Sequence, residues 1–236
     1  MIDNGIIAIS FDIWGTLLNG NKAFTKPRLQ HLFSALDITD IDIEMLVSAY
    51  RASGKHCDAE MERTGLDIGM GDRLAFMFKE LGLDRDVPSD QWINDMQVAL
   101  GRMRLLPEYC PMLIEPDLLQ TLQALKDQGY RLGTMSNTGI DNELGMRSLL
   151  NLNGIASLVN VTVFSSEVGL AKPNPDFFRH MAQELGTETQ NVLHIGDNPN
   201  ADYRATEAGM SALLYAPKGT DKPLQYIRSM KELLKK

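Results

Sequence analysis

Cysteine is scarce: the 236 residues hold only Cys57 and Cys110, in unrelated contexts and with no C-x-x-C spacing. A disulfide framework and a zinc site are therefore not expected, and a reducing cytoplasm fits this usage. Long apolar runs are also missing. The first, Ile6-Ile7-Ala8-Ile9, is far too short for a membrane span or a signal-peptide core, and no basic segment precedes it. A protein that stays in the cytoplasm is the expectation. Positive charge is in deficit, with 23 Lys+Arg against 31 Asp+Glu and a formal net charge of −8. That balance argues against nucleic acid or an anionic membrane as partner, because phosphate-rich surfaces recruit clustered Lys and Arg. Four basic residues, Arg228, Lys231, Lys235 and Lys236, fall near the end of the chain and read as a solvated final helix. Internal repeats, low-complexity tracts and coiled-coil heptads are absent, which leaves the oligomeric state open.

What is present is a hydrophobic fraction of 44%, ordinary for a globular chain. The first apolar run is short, β-branched and continuous, as expected for a strand buried on both faces of a parallel sheet. From about residue 20 to 110 the pattern is helical, with segments at 41–50, 73–81 and 91–103. In the second of these, Leu74, Met77, Phe78 and Leu81 follow i, i+3, i+4, i+7. Beyond residue 111 helices and strands alternate. Helices are predicted at 117–128, 143–152, 175–185 and 201–208, and strands at 130–135, 159–164, 192–195 and 212–215. Such alternation signifies βαβ units. The fold expected is α/β: a doubly wound, Rossmann-like parallel-sheet core, residues 1–19 and 111–236, with an all-helical cap inserted at residues 20–110.

In open α/β sheets ligands bind beyond the carboxyl ends of the strands. Asp12-Ile13-Trp14-Gly15-Thr16 follows the first strand and Ser136-Asn137 the second. Lys172-Pro173 comes some distance after the third, and Gly196-Asp197, with Asp202 five residues on, follows the fourth. Taken singly, each is ordinary cap or turn chemistry. Together they line one edge of one sheet with complementary groups. Asp12, Asp197 and Asp202 with Lys172 would sum to −3 + 1 = −2, a charge that invites a divalent cation held by oxygen ligands.

This ordered set resembles that of the haloacid dehalogenase-like (HAD) hydrolase superfamily, and the insertion resembles the helical cap of its C1 subgroup. The resemblance covers essentially the whole chain. It implies Asp12 as nucleophile, Ser136 and Asn137 with Thr16 and Lys172 around a phosphate, and Lys172 offsetting charge. It also implies Mg²⁺ held by Asp12, Asp197 and the Trp14 carbonyl, with Asp202 completing the cluster. A helical lid of that size implies a small-molecule substrate. One position departs from the pattern. Phosphatases of this superfamily place a second Asp two residues after the nucleophile, to protonate the leaving oxygen. Here Trp14 stands there, and indole cannot transfer that proton. Three readings follow: a Mg²⁺-dependent phosphatase with its acid elsewhere or with good leaving groups, a 2-haloacid dehalogenase, and a weakly active or non-catalytic binder. Against the dehalogenase stand Asp197 and Phe178, which occupies the place of a dehalogenase Tyr. Within the cap, Arg51, His31 and His56 read as solvated helix faces.

Overall fold

The structure is a computed structural model and describes residues 2–234. The chain runs β1 (Ala8–Phe11), β2 (Leu18–Asn19), α1 (Thr25–Ser34), α2 (Ile43–Thr64), α3 (Met70–Glu80), α4 (Asp90–Arg104) and β3 (Met112–Leu113). It continues through α5 (Leu118–Asp127), β4 (Arg131–Ser136), α6 (Glu143–Leu152), β5 (Val161–Phe164), α7 (Ser165–Val168) and α8 (Pro175–Glu184) to β6 (Val192–Gly196), β7 (Ser211–Tyr215) and β8 (Tyr226–Ile227). Six strands form one parallel sheet in the order β5-β4-β1-β6-β7-β8. From β1 the chain builds outward through β4 and β5, then returns to β6 on the other side. The strand order therefore reverses at β1, and the crevice opens beyond its carboxyl end.

Alternation along the strands sorts residues between the two faces. Ile9 and Phe11 of β1, with Leu193 and Ile195 of β6, pack under Leu118, Leu122 and Leu125 of α5 and Met146, Leu149 and Leu150 of α6. Ala8 and Val192 face the other way, toward Phe177, Phe178 and Met181 of α8. The same alternation puts Ser10 and His194 on this second face, fully buried. Every residue of β1 is buried, as the continuous apolar run predicts.

The helices inserted between β2 and β3 form a separate core, with Leu29, Leu32 and Phe33 of α1 against Leu46, Leu74, Met77 and Phe78. The fold is thus a Rossmann-like core with an inserted helical cap. The chain leaves and re-enters the core side by side, through antiparallel pairing of Leu18 with Leu113 and Asn19 with Met112.

Some elements differ from expectation. The helix predicted at 41–50 continues to Thr64, and α1 carried no predicted helix. The segments at Tyr203–Ala208 and Met230–Leu234 are 3₁₀ turns rather than α-helices. Met230 and Leu233 are buried, so the final turn is only partly the solvated face expected. Lys235 and Lys236, assigned to that face, lie outside the described residues. Among the described residues no helix is long and apolar enough to cross a membrane.

Candidate active site

Asp12 follows β1 directly, and its N–H extends the ladder by donating to the Ile195 carbonyl at 2.8 Å. The chain then folds back tightly. Leu17 and Leu18 N–H both reach the Ile13 carbonyl at 2.9 Å, and Gly15, at φ 78°, takes the left-handed conformation the turn requires. Ser136 ends β4, Lys172 lies on the loop before α8, and Asp197 follows β6. Asp12, Trp14, Ser136, Lys172, Asp197 and Asp202 line one cavity of about 440 Å³. Asn137 lines it too, but its carboxamide clamps the Lys172 backbone: Oδ1 accepts from Lys172 N–H at 2.8 Å, and Nδ2 donates to Lys172 O at 3.0 Å. Thr16 is not brought to the cavity. It is fully buried, and its hydroxyl finds no partner.

Lys172 joins the carboxylates. Its Nζ lies 2.5 Å from Asp12 Oδ1 and 2.5 Å from Asp202 Oδ1, with all three side chains nearly dry. One ammonium cannot neutralise two carboxylates, so their surroundings decide which titrates high. Asp202 has further donors, since Oδ2 accepts Asn198 N–H at 2.9 Å and His194 Nε2 stands 3.3 Å from Oδ1. Burial works against its charge, yet Lys172 and His194 hold its carboxyl well below the usual range. Asp12 lacks such help. Burial, reinforced by the Asp202 and Asp197 charges, pushes it up to about 7 against the pull of Lys172. Asp197, more exposed, is pushed up to about 6 by burial and by Asp202. Burial alone would lower Lys172; the two carboxylates outweigh it and keep the ammonium charged.

His194 and Ser10 extend this chain into the core. Ser10 Oγ lies 2.7 Å from His194 Nδ1, and Phe178 packs in a T-shaped arrangement with its ring centroid 5.2 Å from that of the imidazole. Burial pushes the ring below its usual pKa, so it is neutral. A neutral ring that donates to Asp202 from Nε2 accepts the Ser10 hydroxyl proton at Nδ1, which fixes its tautomer. Neither residue was foreseen, although each is a polar residue at an inward position of an apolar strand.

The arrangement fits a divalent cation. Asp12, Asp197 and Asp202 each offer an oxygen within 4.8 Å of one another. Among the described residues, Asp12 Oδ2 and both Asp197 oxygens accept no hydrogen bond from a side chain. Asp202, by contrast, already has protein donors on both oxygens. A Cβ on Gly15 would overlap the Asp197 carboxylate, so glycine lets that acid approach the nucleophile's loop. Free oxygens beside raised carboxyl pKa values suit a hard cation.

Trp14 points to the cap. The Arg104 guanidinium of α4 lies 4.4 Å from its ring centroid and pairs with Asp141 at 2.5 Å, on the loop beyond Ser136. Gln97 of α4 also donates to the Ile140 carbonyl at 3.2 Å. The position that would carry an acid instead anchors the cap. Arg51, His31 and His56 are exposed, as read from the sequence.

The model of the haloacid dehalogenase-like hydrolases matches residues 6–209. The chain belongs to this family. The chain is 27% identical to a phosphoglycolate phosphatase of Rhodospirillum rubrum over 212 residues, 88% of the chain and 78% of that protein. It is 33% identical to a glyceraldehyde 3-phosphate phosphatase of Methanopyrus kandleri over 96 residues; there it spans only 40% of either length. In structure it is similar to a Bacillus subtilis HAD-hydrolase bound to magnesium, with a TM-score of 0.71, 19% identity, and 97% of this chain and 96% of the other covered. Both phosphatases and 2-haloacid dehalogenases have this fold at such identities, so the likeness carries the fold alone.

Proposed function

We propose that this hydrolase is a Mg²⁺-dependent phosphatase of small phosphorylated metabolites, working in the cytoplasm through an aspartyl-phosphate on Asp12. The division of labour follows the sequence boundaries: residues 1–19 and 111–236 carry the nucleophile, Lys172 and the cation site, and residues 20–110 close the cavity over them. The observation that carries the reading is Asp197 beside Asp12, its carboxylate accepting no side-chain hydrogen bond among the described residues and its carboxyl raised to about 6. Displacement of a halide gains nothing from a second carboxylate at the nucleophile. A dianionic phosphate ester, in contrast, needs a cation there. The free cysteines and the acidic balance are consistent with a small-molecule enzyme of a reducing compartment.

Asp12, Asp197 and the Trp14 carbonyl would hold the ion, with Asp202 steadying the site through Lys172. When bound, Mg²⁺ supplies charge neutralisation between the carboxylates and the phosphoryl oxygens. Asp12 Oδ2, the oxygen Lys172 leaves free, attacks phosphorus, and the bond to the leaving oxygen breaks. The Ser136 hydroxyl and the Lys172 ammonium stabilise charge on the transferred group, while Asn137 fixes the Lys172 backbone. Water then cleaves the aspartyl-phosphate and restores Asp12.

Hydrolysis of p-nitrophenyl phosphate should require Mg²⁺ and vanish in Asp12→Asn, measured as nitrophenolate release with and without EDTA. Full activity in EDTA would overturn the metal-assisted reading. Asp12-dependent chloride release from 2-chloropropionate, without turnover of phosphate esters, would make the protein a dehalogenase. Tight metabolite binding without turnover in either assay would make it a binder.

A further inference from the structure

The cap wall of the cavity comes from α2. Lys55, Asp58, Ala59 and Glu62 line it at i, i+3, i+4 and i+7, one stripe of the helix. In-line displacement sends the leaving oxygen away from the nucleophile. With Asp12 at the end of β1, that oxygen emerges away from the sheet edge, where the cap closes the cavity. Five carboxyl groups line the space. Asp12 is the attacking group, Asp197 a candidate ligand, and Asp202 is locked to Lys172 and Asn198 N–H. Asp58 and Glu62 remain.

Their surroundings separate them. The Asp58 side chain is 74% exposed, open to the cavity, and its Oδ1 lies 3.9 Å from Nη2 of Arg73. Arg73 is itself buried and reaches behind the Ser136 loop, where a Cβ on Gly139 would sit 3.3 Å from the same nitrogen. Asp58 is thus held on the Ser136 side. At 3.9 Å the pair has no hydrogen bond, so Arg73 acts on this carboxyl through its charge alone. Glu62 is one turn further along and lies within electrostatic range of Arg204, with no hydrogen bond of its own among the described residues.

We propose that Asp58 is the general acid of the reaction, supplying from the cap the proton that Trp14 cannot. This rests on the phosphatase reading above. As Asp12 Oδ2 bonds to phosphorus, the bond to the ester oxygen breaks, and that oxygen keeps the electron pair. It takes the Asp58 proton and leaves as an alcohol. In the second half, water attacks phosphorus and gives its proton to the Asp58 carboxylate. The Asp12–phosphorus bond breaks, and inorganic phosphate leaves with both acids as they began.

The test is leaving-group dependence. The Mg²⁺-loaded wild type, Asp58→Asn and Glu62→Gln are assayed on phosphate esters ranging from p-nitrophenol to a primary alcohol. Alcohol leaving groups need the proton and nitrophenolate does not, so kcat for the alkyl esters should fall by about 10²–10⁴ in Asp58→Asn. That loss should exceed the loss on p-nitrophenyl phosphate by about 10²-fold, and Glu62→Gln should show no such split. Equal losses across the series in Asp58→Asn, or the split appearing in Glu62→Gln, would overturn the proposal. So would a wild type that hydrolyses aryl but not alkyl esters. In each of those cases Asp12-dependent p-nitrophenyl phosphate hydrolysis leaves the phosphatase reading standing. A wild type inactive on every ester removes both.

Discussion

Gly15 and Gly196 decide how closely two loops approach Asp12. A side chain on Gly196 would overlap Asp202, and one on Gly15 would overlap the Asp197 carboxylate. Gly15 also sits at φ 78°, where an alanine is strained. Gly15→Ala should push Asp197 outward, weaken Mg²⁺ binding and lower kcat/KM about 10²-fold, since misplacement by about 1 Å has that cost. Mg²⁺ titration of the initial rate checks it; unchanged Mg²⁺ dependence would mean Asp197 does not bind the ion. At this scale the sequence was legible wherever a polar residue ended an apolar run. Asp12, Ser136 and Asp197 are such residues, and Lys172 stood out beside its proline. Ser10 and His194 were hidden because they sit inside strands, where an isolated polar residue looks like a flaw in the apolar pattern. Their partnership depends on β1 and β6 pairing in register, Ser10 opposite His194, at a separation of 184 residues. Asp58 was hidden because nothing in a polar helix marks which turn overhangs a cavity.

Among the elements, α4 fastens the cap to the loop that carries Ser136 and Asn137. Arg104 and Asp141 are 10% and 15% exposed at the side chain, so their pair is largely removed from water. Removing one partner strands the other, at a cost of about 3 kcal/mol for a buried pair. Arg104→Met and Asp141→Asn should each destabilise by about that much in urea unfolding. The double variant should cost less than the sum by at least about 1 kcal/mol, the coupling of residues in direct contact. Strict additivity would mean that the guanidinium is held by Trp14 and Phe24 alone. The helices most readable in the sequence, such as α6 at Glu143–Leu152, bury a broad apolar stripe. The second half of α2 does not: its buried residues shrink to Cys57 and Met61 where the helix overhangs the cavity. That half of α2 was hard to read because its buried stripe is narrow and part of it faces the cavity instead of a core. Two-residue ladders such as β2 with β3 leave no pattern long enough to read.

Over the whole molecule, the site and the fold are coupled through protons and a cation. Asp12 at about 7 and Asp197 at about 6 both lie above the ordinary carboxylate range, so without metal the fold favours their neutral forms. Their contribution to stability is complete below about pH 4 and is lost as pH rises through 6 to 7. Asp202 has the opposite sign, but its carboxyl is held so low that it changes nothing above pH 5. Mg²⁺ needs the ionised forms, so its stabilisation grows over the same interval in which the metal-free protein weakens. At a concentration of about 100 Kd the ion adds about 2.7 kcal/mol. For a chain of this size that corresponds to about 5–10 °C in Tm. Melts in MgCl₂ and in EDTA should therefore nearly coincide at pH 5 and separate by that amount at pH 8. In Asp197→Asn the separation should shrink across the whole range, because one of the two competing carboxylates is gone. A separation independent of pH, or one that Asp197→Asn leaves intact, would put the cation elsewhere and leave the charge around Lys172 to be balanced by the substrate alone.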